Sequence, residues 1–299
     1  MRIILGTDGS PAAETAGRLV AERTWPTGTR VSVVSVARPL VDLSGMAAVA
    51  SDRAGADGAG AQAIAESMAD TLRAAGLAVD VDVAVGEPAS VLMERADVLM
   101  AGLIVVGNRG RGPIASAVLG SVSASLVDHA PCPVLVARAP SMSRMLMATD
   151  GTQSSMAIPR VLDAWGPAFR GLPVEVVSVA DRVEFVTPWA AELDRESETL
   201  DHERIAAAVA DELMALGWHA AAVARVGEPG REIVKAGDEW HADLIVTGSR
   251  GIGTLRRILA GSVAHDVLLH AHSSVLVVRG GVPSAVRAPV FAAGAMALG

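Results

Sequence analysis

Gly107-Asn108-Arg109-Gly110-Arg111-Gly112 follows directly on the apolar run Leu103-Ile104-Val105-Val106, and Gly120-Ser121-Val122 opens an apolar-periodic segment that ends near His129. The order reads as strand, glycine-rich loop, helix. Such a junction suits an anion, because backbone N–H groups and the positive end of the helix dipole face the same space. The spacing is glycine, two residues, glycine, nine residues, then Gly-Ser. It recurs as Gly248-Ser249-Arg250-Gly251 and, nine residues on, Gly261-Ser262-Val263. One such loop is a weak signal; two in matching places are a strong one.

Working outward, the offset holds along the chain. Gly107 and Gly248 stand 141 residues apart, as do Gly120 and Gly261, Gly86-Glu87-Pro88 and Gly227-Glu228-Pro229, and Leu135-Val136 and Leu276-Val277. Thr7-Asp8-Gly9 maps on Thr149-Asp150-Gly151 with an offset of 142. A period this long means tandem domains rather than a solenoid. The expected units are residues 1–139 and 144–279, with 280–299 a disordered tail. Each half alternates short apolar strands with helical patterns. Runs such as Leu103-Ile104-Val105-Val106 lack alternation, which suits strands covered on both faces in a parallel α/β sheet. Helix starts are signposted by Ser10-Pro11, Glu87-Pro88 and Glu228-Pro229. The segments Arg38–Gly60 and Asp181–Asp201 read as excursions before the second helix of each half.

Composition narrows the function. The chain has 299 residues, about two domains on the size prior, and is 51% hydrophobic and 19% charged. A net charge of −8 argues against a surface built to neutralise nucleic-acid phosphates. The opening Met1-Arg2-Ile3-Ile4-Leu5-Gly6 is too short for a signal-peptide core, and no run of about 18 apolar residues offers a membrane span. Cytoplasm is the default location. One cysteine, Cys132, excludes an internal disulfide and reads as a buried structural residue.

In an open parallel sheet, ligands bind beyond the carboxyl ends of the strands, at the point where strand order reverses. The loops with special sequences follow the first strand (Gly6-Thr7-Asp8-Gly9-Ser10) and the fourth. Were those strands neighbours, both loops would line one crevice. Gly107 and Gly110 would admit a phosphate to the backbone, Gly120-Ser121-Val122 would supply N–H groups and a hydroxyl, and Arg109 and Arg111 would supply charge. The plainer readings stay open: Asp8 and Asp150 as turn formers, the glycines as tight-turn residues, Ser121 and Ser262 as N-caps.

Several chemistries are excluded. Gly110-Arg111-Gly112-Pro113-Ile114-Ala115 matches a dinucleotide fingerprint, but the following strand ends Val136-Ala137-Arg138 without the acidic residue that fingerprint needs. No Gly-Lys-Ser/Thr occurs. The seven histidines show no His-Glu-x-x-His spacing, so no metal site is expected, and no serine sits in a nucleophile elbow. No catalytic residue is nominated.

Taken together, Thr7-Asp8-Gly9-Ser10, Val105-Val106-Gly107-Asn108-Arg109-Gly110, Gly120-Ser121-Val122 and Pro131-Cys132-Pro133-Val134-Leu135-Val136 resemble the universal stress protein family. So do Ala148-Thr149-Asp150-Gly151, Val246-Thr247-Gly248-Ser249-Arg250-Gly251 and Gly261-Ser262-Val263. The resemblance runs over about residues 1 to 279. It implies α/β architecture of the adenine-nucleotide alpha-hydrolase-like kind: two tandem, doubly wound, five-stranded parallel sheets of order 3-2-1-4-5. It also implies ATP, with or without Mg2+, held by the glycine loop, with Asp8 and Asp150 toward ribose and phosphates. Adenine would pack near Val36 or Val179, and Gly6 would let the backbone pass close to the nucleotide, where the second half has Ala148. Tandem members resemble a fused dimer with the fifth strands meeting, and a homodimer of the whole chain is expected on top of that.

The leading expectation is therefore an ATP-binding stress or dormancy regulator, acting through nucleotide-dependent shape or an unidentified regulatory partner rather than as an enzyme. The alternatives are a dimerising scaffold with loops empty or holding another anion, and a slow ATPase. The second half departs from the pattern at Ala148, at Thr152 in place of Ser10, at Asp243 in place of Gly102, and at Pro159 inside its first helix.

Overall fold

A computed structural model describes residues 1–37, 50–110, 119–181, 188–249 and 261–279, with backbone alone at 50–57 and 188–198. The first half runs β1 (Arg2–Gly6), α1 (Pro11–Ala21), β2 (Arg30–Ala37), α2 (Ala50–Ala74), β3 (Ala78–Val85), α3 (Pro88–Val98), β4 (Leu103–Gly107), α4 (Ser121–His129) and β5 (Val134–Ala137). The second half follows as β6 (Met145–Ala148), α5 (Gln153–Met156), α6 (Ile158–Ala164), β7 (Val174–Asp181) and α7 (Pro188–Ala215). It ends with β8 (Ala220–Gly227), α8 (Pro229–Trp240), β9 (Leu244–Gly248), α9 (Ser262–His270) and β10 (Ser274–Val278). The expected tail at 280–299 lies outside the described residues.

The ten strands join in one sheet of order β3-β2-β1-β4-β5-β10-β9-β6-β7-β8. Within each half the neighbours are parallel, and β1 lies between β2 and β4. The halves meet where β5 and β10 pair antiparallel, with Leu135 opposite Leu276 and Val134 opposite Val277. Because Leu135 and Leu276 are the same position of the repeat, a pseudo-twofold axis passes between them. The two expected sheets are thus one continuous sheet.

Both faces are covered, as the unbroken apolar strands require. One core holds Ile3, Leu5, Val105, Leu135, Met145, Val246 and Leu276 under α1, α2, α6 and α7. The other holds Ile4, Ile104, Val136, Leu146, Ile245 and Val275 under α3, α4, α8 and α9. The first core crosses the seam. Trp25 meets Phe169 edge-on at 6.0 Å, and Phe169 packs on Trp165 at 5.8 Å. An added Cβ on Gly102 would lie 4.0 Å from Trp165 Nε1, an ordinary contact with the other half. Asp243, its counterpart, instead accepts from Ser143 N (2.8 Å) and Arg144 N (3.1 Å) and pins the inter-domain joint.

Two expectations need correction. Much of the excursion before α2 is helix from Ala50, and much of that before α7 is helix from Pro188. Alanine at 50, 54, 56 and 59, and the Ala-Glu-Leu-Arg-rich stretch after Pro188, carry enough helix propensity to outweigh the Gly, Ser and Asp that read as loop. Pro159 does break the first helix of the second half, into α5 and α6.

Candidate functional site

The adjacency of β1 and β4 places their following loops side by side. After β1, Thr7 N donates to Val34 O on β2 (3.0 Å) and Gly9 turns the chain at φ +70°. Ser10 N donates to Asp8 Oδ1 (3.0 Å), which fixes the carboxylate beside the turn. Ser10 Oγ accepts from Ala13 N (3.2 Å), capping α1, and donates to Arg109 O (3.4 Å), which ties the two loops together. Gly6 has a packing reason of its own: a Cβ there would stand 3.0 Å from Leu92 Cδ1 and 3.1 Å from Val106 Cγ1.

The loop after β4 is built on close approach. A Cβ on Gly107 would lie 2.5 Å from the carbonyl carbon of Ala12, inside the backbone of α1. Asn108 N donates to Ala137 O (3.1 Å), and Gly120 N returns to Asn108 O (2.8 Å), closing the loop on itself. Ser123 Oγ donates to Gly107 O (2.8 Å) and holds the start of α4 on the end of β4. A Cβ on Gly110 would meet Asp8 Oδ2 at 2.7 Å, and one on Gly120 would sit 3.4 Å from Arg109 Cα. Asp8, Arg109, Gly110 and the first turn of α4, at Ser121 and Val122, therefore share one patch. The first-turn N–H groups of a helix have no intrahelical acceptor and carry its positive dipole, so the patch favours an anion. Gly120 and Gly261, not the serines, occupy the N-cap positions, so Ser121 and Ser262 are the first helical residues. Arg111, Gly112, Arg250 and Gly251 lie outside the described residues.

Arg138, at the end of β5, was not singled out by sequence. Burial, and then the neighbouring charge of Arg109, lower its pKa to about 10, so it stays cationic at neutral pH and adds to the positive field at the loop. Its guanidinium crosses the seam to donate to Ser273 O (3.2 Å) and Leu268 O (2.5 Å). Ser123 was missed for a different reason: the repeat has Ala264 there, so the 141-residue comparison hides it.

The second half repeats the frame. Thr149 N donates to Val177 O (2.9 Å), Gly151 sits at φ +73°, Ser249 N donates to Val278 O (2.9 Å) and Gly261 N to Ser249 O (2.8 Å). Ala148, where the first half has Gly6, is buried, and Gly248 ends β9 as Gly107 ends β4. Val263, like Val122, packs half-buried on the second core. The aspartate is wired differently. Asp150 Oδ1 accepts from Thr152 N (3.0 Å), Thr152 Oγ1 (2.7 Å) and Ser155 Oγ (2.7 Å).

Val36 and Val179 are half-buried against the second core near the carboxyl ends of β2 and β7. Beside Val179, buried Ser178 Oγ bonds His202 Nδ1 at 2.7 Å. A cavity of about 310 Å³ lies elsewhere, at the amino ends of β9 and β10, lined by Ala139, Asp238, His241, Asp243 and His272. It shares no residue with the glycine loops, and the switch-point position of those loops is the stronger guide. Among the described residues no group of three or more His, Cys, Asp or Glu is placed to hold a metal ion. No helix among them is long and apolar enough to cross a membrane.

Comparison with known proteins agrees with this architecture. The sequence model of the universal stress protein family matches residues 1–138 and again 142–279. A universal stress protein of Mycobacterium tuberculosis is 32% identical over 195 residues, 59% of this chain and 61% of that protein. The match thus spans less than two thirds of that relative's length. A universal stress protein of Thermus aquaticus is 34% identical over 144 residues, 46% of this chain and 97% of that one. The crystal structure of a universal stress protein from Archaeoglobus fulgidus superposes with a TM-score of 0.65 at 20% identity, covering 94% of this chain and 96% of that one, a likeness of fold.

Proposed function

The chain belongs to the universal stress protein family, and from that premise we propose that it is an ATP-binding regulator whose first-half loops hold the nucleotide. The observation that carries this reading is the bond from Gly120 N to Asn108 O, with Gly110 set against Asp8 and the first turn of α4 beside Arg109. Phosphates are received by the backbone N–H groups of the loop and of Ser121 and Val122, with Arg109 neutralising charge. The Asp8 carboxylate accepts from ribose hydroxyls, and adenine packs toward Val36. Mg2+, where present, arrives with the triphosphate. Occupancy is sensed by the second half through Arg138, which lies next to Arg109 and is bonded across the seam. Residence in the cytoplasm, a homodimer and a downstream protein partner belong to the same proposal.

Titrating Mg-ATP into the purified chain by calorimetry tests it, beside Gly110→Val. The variant puts a side chain onto Asp8 and is expected to weaken binding at least about tenfold, the cost of one lost charge-assisted contact. Equal affinity of parent and variant would overturn the assignment of this loop. Phosphate release in proportion to protein, abolished by Asp8→Ala, would move the protein to the slow-ATPase class.

A further inference from the structure

The pseudo-twofold that relates the halves also relates the two points where the chain leaves the seam, after Arg138 on β5 and after Arg279 on β10. In the second half Ala139 lines the cavity at the end of α8, together with Asp238, His241 and His272. The 141-residue offset turns that set into Gly280, Asp97, Met100 and Pro131. Arg279 agrees with this placement: its guanidinium donates to Val127 O on α4 (2.6 Å), and α4 packs against α3. We propose that the C-terminal segment 280–287 folds back over the end of α3, covering Val98 and Met100 and setting Arg287 against Asp97. The proposal does not depend on what the glycine loops hold.

The end of α3 is built as a surface that lacks its cover. Met100 and Val98 are 73% and 68% exposed, the two most exposed large apolar side chains among the described residues. The same positions of the second half are His241 and Glu239, polar as a water-facing surface requires. Met100 also sits at φ +48°, a left-handed conformation that favours glycine or asparagine. Asp97 stands in the last turn of α3, where the helix dipole already concentrates negative charge. Its counterpart Asp238 has His272 Nδ1 at 3.3 Å, whereas Pro131 at the corresponding position offers no donor.

The segment complements that surface in both respects. Gly280-Gly281-Val282-Pro283-Ser284-Ala285-Val286-Arg287 supplies three apolar side chains and one cation, and no acidic residue follows as far as Gly299. Val282, Pro283 and Val286 match Val98 and Met100, and Arg287 gives Asp97 the cationic partner that His272 can give Asp238.

The test uses the full chain with pairs of introduced cysteines, the buried Cys132 being left in place. Met100→Cys with Val286→Cys is expected to close an intrachain disulfide under mild oxidation, read by mass on the monomer. Met214→Cys with Val286→Cys, its first member on α7 in the other half, is the control and is expected to close at least about tenfold more slowly. Arg287→Glu is expected to slow closure of the first pair about threefold, and adding Asp97→Lys to restore it, a rescue that a damaged fold does not give. Thermal melts confirm folding of each variant. In the unsubstituted chain, Met100 is expected to be oxidised by peroxide at least about threefold more slowly than in a chain ending at Arg279. Equal closure of the two pairs, or equal oxidation of Met100 in the two chains, would overturn the proposal. Closure between chains would overturn it by assigning the patch to a second copy, and a charge swap that restores nothing would overturn the pairing of Arg287 with Asp97.

Discussion

At the scale of single residues, the glycines of the loop do different jobs, and the difference decides which of them reports on function. Gly107 faces the backbone of α1 at 2.5 Å, so any side chain there pushes a helix off the sheet, at a cost on the order of 2–3 kcal/mol. Loss of binding on changing Gly107 would therefore report folding. Among the described residues Gly110 faces only the carboxylate of Asp8, and it is the cleaner probe. Cys132 belongs to the packing, not the site. Burial pushes its thiol up to about 12 from an ordinary 9.0, against smaller opposing effects of Arg279 and of a hydrogen bond with Ile104. The neutral thiol is the buried form, so its contribution is intact below pH 9 and is lost as pH rises from 9 toward 12, where the unfolded thiol ionises first. Native protein at pH 8 is expected to resist iodoacetamide, with modification appearing only on adding denaturant. Rapid labelling of the native chain would show the thiol to be exposed.

At the scale of elements, the strand Leu103–Gly107 and the helix Ser121–His129 were legible because the same spacing occurs twice and because apolar runs without alternation have few alternatives. The starts of α2 and α7 were not, since Gly, Ser and Asp mark loops locally while helix propensity sums over a longer window. The wiring of Asp150 escaped notice for a simpler reason: its donor Ser155 falls outside every motif. Arg138 and Arg279 were equally hidden, because their partners lie in the opposite half. Each reaches across the seam to the carboxyl end of the other half's helix, Arg138 to Leu268 O on α9 and Arg279 to Val127 O on α4. Cations and carbonyls are well matched there. Arg138→Gln is expected to lower the unfolding free energy by about 1–3 kcal/mol, read from the urea midpoint, because it strips partly buried carbonyls of a charged donor. Arg160→Gln, which removes the pair of an exposed guanidinium with half-buried Glu212, is expected to cost about 0–1 kcal/mol. Equal effects would mean that the crossed arginines are ornamental.

At the scale of the whole molecule, duplication was readable from a constant offset, whereas the direction of the joining strands was not. Val134–Ala137 is four apolar residues that would pair in either sense. The antiparallel seam follows from the pseudo-twofold relation of the halves, and it covers an edge that each half alone would expose. Residues 1–141 expressed alone are accordingly expected to self-associate through β5, with Trp25 deprived of Phe169, as seen by light scattering during gel filtration. A stable monomer would contradict that view of the seam. The same architecture carries both glycine-loop segments on one sheet, and the proposed function assigns a nucleotide to the first. The most direct test of the account is to denature the purified protein and count the adenine nucleotide released per chain, before and after saturation with Mg-ATP. The account predicts at least one adenine nucleotide per chain after saturation. Release of none, together with no uptake of added Mg-ATP, would contradict it.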